Sequence, residues 1–144
     1  MTTYTTADVG SRPRTLGRSI LALSIGFVAV VALSLGADEV LHLLKVYPPW
    51  GEPMYQPALN LALSYRAVFT IVGGYLTART APHSPMRHVL IGAGIGLVIG
   101  VAGVVAAASI GGLGPLWYPV AVAVTGPPCT VLGGTIYVRR MSVN

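Results

Sequence analysis

The chain has 144 residues, 53% of them hydrophobic and only 9% charged, against about 25% charged in an average soluble domain. Nine basic and four acidic side chains cannot shell a soluble core of this size, which excludes an ordinary cytosolic enzyme, and the high hydrophobicity excludes disorder. The net charge of +5 sits mainly in Arg12, Arg14 and Arg18, in Arg79 and Arg87, and in Arg139 and Arg140, each group flanking an apolar run. That is the positive-inside pattern of a membrane protein and not the clustered basic face of a nucleic-acid binder.

Residues 1–18 read as a disordered, basic cytoplasmic tail. Ser19 to Ala37 is an uncharged run of 19 residues, enough to cross about 30 Å of hydrocarbon. Apolar residues carry the first span to about residue 41 and continue to Leu44. Tyr47-Pro48-Pro49-Trp50-Gly51 then stops the helix: the prolines remove backbone donors, and Tyr47 and Trp50 suit the headgroup level. A basic start before an apolar stretch also describes a signal peptide. This run is longer than the usual 7–15 residues of such a segment, and apolar character resumes after Glu39, so the span is read as retained.

The second span is expected over 59–78, interrupted only by Arg66. The loop to Arg87 carries His83 and two prolines. The third span, 88–110, has no charge, and Gly111-Gly112-Leu113-Gly114-Pro115 ends it. The fourth covers 117–138, with Trp117 and Tyr118 as an outer belt and Arg139-Arg140 as the inner anchor; residues 141–144 form a short tail. Four spans place both termini on one side, and the basic asymmetry makes that side cytoplasmic. The single cysteine, Cys129, cannot form an intramolecular disulfide. The expected fold is all-α, an integral membrane four-helix bundle occupying 19–140.

Two segments repeat. Thr70-Ile71-Val72-Gly73-Gly74 recurs as Thr130-Val131-Leu132-Gly133-Gly134, and Ile25 to Ala32 resembles Ile95 to Ala102. Corresponding spans cross in the same direction, so the bundle reads either as two tandem helical hairpins in parallel repeat or as a chance match among abundant Gly, Ala and Val.

Gly92, Gly96 and Gly100 are spaced by four and share one helical face; Gly126, Thr130 and Gly134 repeat the spacing. Small residues so placed let helix backbones approach where no hydrophobic drive exists, and helix packing is assigned to them. Pro127-Pro128 must kink or locally unwind the fourth span. Asp38, Glu39 and His42 fall near one side of the first helix at its outer end. Counted up from the flanking arginines, Asp38 stands about 30 Å and Arg66 about 20 Å above the inner interface. An arginine that extends outward covers much of that gap. These four residues form the expected intramembrane polar cluster, either a clamp between the first two spans or a functional site. Glu39-x-x-His42 is half of a di-metal carboxylate motif, but a second half is missing, so no metal is assigned. No catalytic set, phosphate loop or dinucleotide fingerprint is present, and Gly92-x-Gly94-x-Gly96 lacks the strand that a Rossmann reading needs. No cofactor is expected, and the chain is not expected to be an enzyme.

Size and span number resemble the small multidrug resistance transporters, which rely on a glutamate in the middle of the first span; Ile25 to Ala32 has no ionisable residue. The run Asp38-Glu39-x-x-His42, Tyr47-Pro48-Pro49-Trp50, Tyr65-Arg66, Gly73-Gly74-Tyr75-x-Thr77-Ala78-Arg79 and Trp117-Tyr118-Pro119 resembles a group of uncharacterised small bacterial inner-membrane proteins, over residues 19–140. That resemblance implies fold and a bacterial plasma-membrane location and no activity. The expected role is therefore structural or accessory, with the lipid bilayer, a homo-oligomer or another membrane protein as partner and no nucleic acid. The alternative is a small transporter or channel using the polar cluster.

Overall fold

Four long helices make up the protein in a computed structural model that describes residues 12–111 and 114–143, with side chains from Thr15 onward. They are α1 (Arg12–Leu43), α2 (Gln56–Thr80), α3 (Pro85–Ile110) and α4 (Trp117–Val143). Each is long and apolar enough to cross a membrane. Among the described residues there is no strand.

The helices outrun the predicted spans. The expected N-terminal tail lies outside the described residues up to residue 11, but from Arg12 the chain is already helical. Likewise α4 continues through Met141 and Ser142 to Val143, where a tail was expected, and residue 144 lies outside the described residues. Polar residues at a helix end need not stop it, because they satisfy no less of the backbone ladder than apolar ones do. Real stops occur where chemistry forces them. Gln56 and Pro57 start α2, and Pro85 starts α3, since proline at the first turn sacrifices no intrahelical bond. At the other end of α3, Gly111 takes φ +68 with ψ 162 and its N–H donates to Ala107 O at 3.3 Å, an extended positive-φ conformation that glycine adopts and L side chains rarely do.

Contacts fix the topology. Asp38 meets Arg66 while Gly26 lies against Thr77, so α1 and α2 are antiparallel. Gly100 faces Ala123 while Gly134 faces Val89, so α3 and α4 are antiparallel too. Consequently one end of the bundle collects Arg18, Arg79, Arg87 and Arg139, and the opposite end collects Tyr47, Trp50, Tyr55, Trp117 and Tyr118. These are called the basic and aromatic ends. The most extensive contact is between α2 and α4; α1 packs on α2, α3 on α4, and α1 and α4 do not touch among the described residues.

The interior is built of small side chains. Ala22, Ala58, Ala62, Ala78, Ala93 and Ala123 are buried with Gly26, Gly73, Gly74, Gly133 and Gly134, and Val89 is the one large side chain fully enclosed among the described residues. Most large apolar residues point outward: Val98 is 70% exposed and Val28 61%. In water that surface would aggregate. In hydrocarbon it is the correct solvation, and the helices are then held by close backbone approach.

The two glycine pairs occupy the tightest points. A Cβ on Gly74 would collide with Thr130 O, and one on Gly133 with Ile71 O, so both lie in the α2–α4 joint. Their neighbours serve the hairpins: Gly73 faces Gly26 O and Val30, and Gly134 faces Val89. The repeated motif is thus used twice, but not symmetrically, because the first glycine faces its own hairpin in α2 and the other hairpin in α4.

Between α1 and α3 the bundle is open. These helices touch at the basic end, where His88 Nε2 lies 2.9 Å from Ser19 Oγ and Leu23 reaches Gly92. A groove of about 460 Å³ lies above this joint, with α2 and α4 as its floor. Gly96 and Gly126 line it. A Cβ on either would meet nothing within 4 Å, so the expected packing role does not hold for these two. On the face Gly92–Gly96–Gly100 only Gly100 presses closely, against Ala123 of α4, while Gly92 makes ordinary contact with Leu23 Cδ2 of α1 at 3.4 Å. Gly134 keeps its packing role. Finally, α4 runs through Pro127 and Pro128 as one continuous helix.

Candidate functional site

The polar cluster assembles at the aromatic end, but with a different membership from the one expected. Asp38 is 8% exposed, and its Oδ2 accepts from Arg66 Nη2 at 2.6 Å. Its Oδ1 accepts from the Tyr65 hydroxyl. The Tyr47 hydroxyl lies 3.1 Å from that of Tyr65 and 3.4 Å from Ala58 O. Tyr65 gives its proton to the carboxylate, so the single Tyr47 proton is shared between the Tyr65 oxygen and Ala58 O, both of which can only accept it. Tyr118, at the start of α4, places its ring 5.8 Å from Arg66 Cζ, within the range of a cation–π contact.

The local sequence explains the assembly. Ala58, Ala62 and Tyr65 share one face of α2 at spacings of four and three. The two alanines leave room for the Tyr47 ring, which is buried against them with Leu41, Met54, Tyr65 and Tyr118 around it. Tyr47 reaches this place because α1 ends in a compact turn, with Val46 N–H and Tyr47 N–H both donating to Leu41 O at 3.0 and 3.1 Å. Burial pushes the Tyr47 phenol above its ordinary range.

The expected depth gap between Asp38 and Arg66 is absent, and the reason is a reference level. Gly26 packs on Thr77, so Arg79, two residues further on, stands near Ser24 and not beside Arg18. Six residues of helix separate those levels, or about 9 Å, which removes nearly all of the apparent gap.

Glu39 and His42 do not join the ion pair. Glu39 is exposed. His42 Nδ1 lies 2.7 Å from Asp38 O, and its ring stacks on Trp50 with centroids 4.0 Å apart and planes 6° from parallel. Among the described residues no three of His, Cys, Asp and Glu converge as metal ligands do. Tyr47, Tyr65 and Tyr118 are the site residues that the sequence reading missed. Tyr47 and Tyr118 look like belt residues in sequence; the usable signal was the Ala58–Ala62–Tyr65 face, whose small residues announce a buried ring opposite.

Arg66 is less fully served than Asp38. Its Nε is buried without a hydrogen-bond partner. The cluster therefore holds a carboxylate with a donor on each oxygen and an arginine whose buried Nε–H is unpaired. No protein-family model matches this chain, and no curated protein or solved structure matches it either.

Proposed function

We propose that the chain is a non-enzymatic integral membrane protein of the bacterial plasma membrane, with both termini in the cytoplasm and a structural or accessory role beside a second copy or another membrane protein. The engagement of both Asp38 oxygens by α2 is the observation that carries this reading. A transport site has to release and rebind its charge against water or substrate. Here both carboxylate oxygens are occupied by residues of the next helix, and the side chain is buried, which suits a clamp that fixes α1 to α2. The positive-inside asymmetry supports the orientation.

Two measurements test it. Fusion of alkaline phosphatase to the C-terminus should be inactive, and a fluorescent protein fused there should fluoresce; an active phosphatase overturns the topology. Chain extracted in mild detergent should carry a second protein or a second copy in native mass spectrometry. A bare monomer that drives ion flux in proteoliposomes, with the flux abolished by Asp38→Asn, would replace this reading by the alternative of a small transporter or channel. That alternative draws its support from the groove of about 460 Å³ bounded by all four helices.

A further inference from the structure

A second concave site lies at the aromatic end, between the last turn of α1 and the loop that follows it. Its volume is about 620 Å³, and Glu39, His42, Lys45, Tyr47, Trp50 and Tyr55 line it. The walls are fixed by local bonding. Lys45 takes φ +57, and its N–H donates to His42 O at 3.0 Å, so the chain folds back over the end of α1. The Tyr55 hydroxyl donates to Val46 O and ties the far side of the loop. His42 stands between Tyr47, edge-on at 5.3 Å, and Trp50, stacked at 4.0 Å. Trp50 is 68% exposed, so the ring face away from His42 is free.

Charge makes this pocket more than an aromatic belt. Glu39 and Lys45 both line it, yet they are not paired with each other, and neither has an ion-pair partner among the described residues. Both side chains are exposed, and solvated opposite charges gain little by pairing with each other, so each is open to a ligand. His42 adds a third feature. With Nδ1–H donating to Asp38 O at 2.7 Å, the neutral ring keeps Nε2 as an acceptor. One part of the pocket therefore offers a carboxylate and an imidazole acceptor, both of which attract an ammonium that carries N–H groups. Another part offers a lysine ammonium, which attracts phosphate.

We propose that this pocket binds the head group of a zwitterionic phospholipid with a primary amine, the ammonium against Glu39 and His42 and the phosphate against Lys45. A lipid is favoured over a free solute because the pocket opens at the ends of α1 and α2, where Tyr47, Trp50 and Tyr55 cluster, the level at which headgroups lie around a spanning helix. The proposal rests on the reading of the helices as membrane spans, though not on their orientation. A primary ammonium donates hydrogen bonds and a quaternary one does not, so ethanolamine lipid should bind better than choline lipid.

The test is native mass spectrometry of the full chain in mild detergent, titrated with phosphatidylethanolamine, phosphatidylcholine and phosphatidylglycerol of identical acyl chains. Phosphatidylethanolamine should bind most tightly. Glu39→Gln and Lys45→Gln should each weaken it about tenfold, the size expected for one lost charge-assisted hydrogen bond, while Glu52→Gln in the same loop should leave it unchanged. Both varied side chains are exposed, so thermal unfolding should match the parent. Equal binding of the three lipids, or indifference to Glu39→Gln and Lys45→Gln, overturns the proposal. So does tighter binding of free O-phosphoethanolamine than of the lipid, which would assign the pocket to a soluble zwitterion. Carbonate extraction of cell membranes separates the two failures: chain that stays in the membrane without lipid preference sinks only this proposal, whereas chain released by carbonate sinks the membrane reading.

Discussion

Two adjacent carboxylates have opposite fates. Successive helix positions are turned by about 100°, so Asp38 faces α2 and is buried while Glu39 faces the loop pocket and is exposed. The sequence alone left both as partners for Arg66, because a helix face can be read from spacing but its rotation toward a neighbour cannot. The structure separates them, and a double-mutant cycle will show it. Arg66→Ala with Asp38→Ala should give a coupling of about 1–3 kcal/mol, and Arg66→Ala with Glu39→Ala a coupling below about 0.3 kcal/mol. Tyr65→Phe should cost about 1–2 kcal/mol by leaving Asp38 Oδ1 without its donor. Reversible unfolding in mixed micelles reads all three, and equal coupling for the two carboxylates would contradict the geometry.

At the scale of elements, glycine spacing tells where a helix is thin and not what lies opposite. The four-residue periodicity of α3 marks Gly92, Gly96 and Gly100 as equivalent, but that face meets α1 at one point and α4 at another, and so has three surroundings: a leucine side chain, an open groove and an alanine Cβ. The Gly73-Gly74 and Gly133-Gly134 pairs were legible as a repeat; their role as the weld between hairpins was not, since it depends on which helix becomes the neighbour. Gly133→Ala should therefore be strongly destabilising, because its Cβ would meet the Ile71 carbonyl in a helix that cannot yield. Gly96→Ala should be neutral or stabilising by up to about 1 kcal/mol, the helix-propensity difference. Folded yield and thermal midpoint in detergent check both. A loss for Gly96→Ala as large as that for Gly133→Ala would show that the groove is closed in the membrane.

For the molecule as a whole, the architecture was legible because its signals are local and redundant: run length, absence of charge, proline and glycine at the stops, arginine at one end. Those signals fixed four helices and left their lateral order open, as side-by-side packing in hydrocarbon is decided by small-residue contacts that recur on every helix here. The order found makes the α2–α4 joint the main bond between the halves, so the backbone link through Ala81 to Ser84 carries little of the assembly. Fragments 1–82 and 83–144, expressed together, should co-purify as a folded pair. Gly74→Leu in the first fragment should abolish that association. Failure of the unmodified fragments to associate would locate the main bond elsewhere.

The proline pair gives α4 a mechanical character that the other three helices lack. Pro127 and Pro128 have no N–H, so the carbonyls of Ala123 and Val124 go without the amide that would normally brace them. Beyond this joint, toward the aromatic end, lies the segment that holds Tyr118 against Arg66; toward the basic end lies the segment welded to α2 by Gly133. The helix is thus a lever with a fixed foot and an arm that can pivot where the braces are missing, and the arm rests on Arg66, whose Nε is buried without a hydrogen-bond partner. Sideways force on the arm would swing the tyrosine away from the guanidinium while leaving the foot in place. Spin labels at the exposed positions Leu61 and Val120 would register this as a broad distance distribution, and Pro127→Ala with Pro128→Ala should narrow it; an unchanged width would show the arm to be rigid.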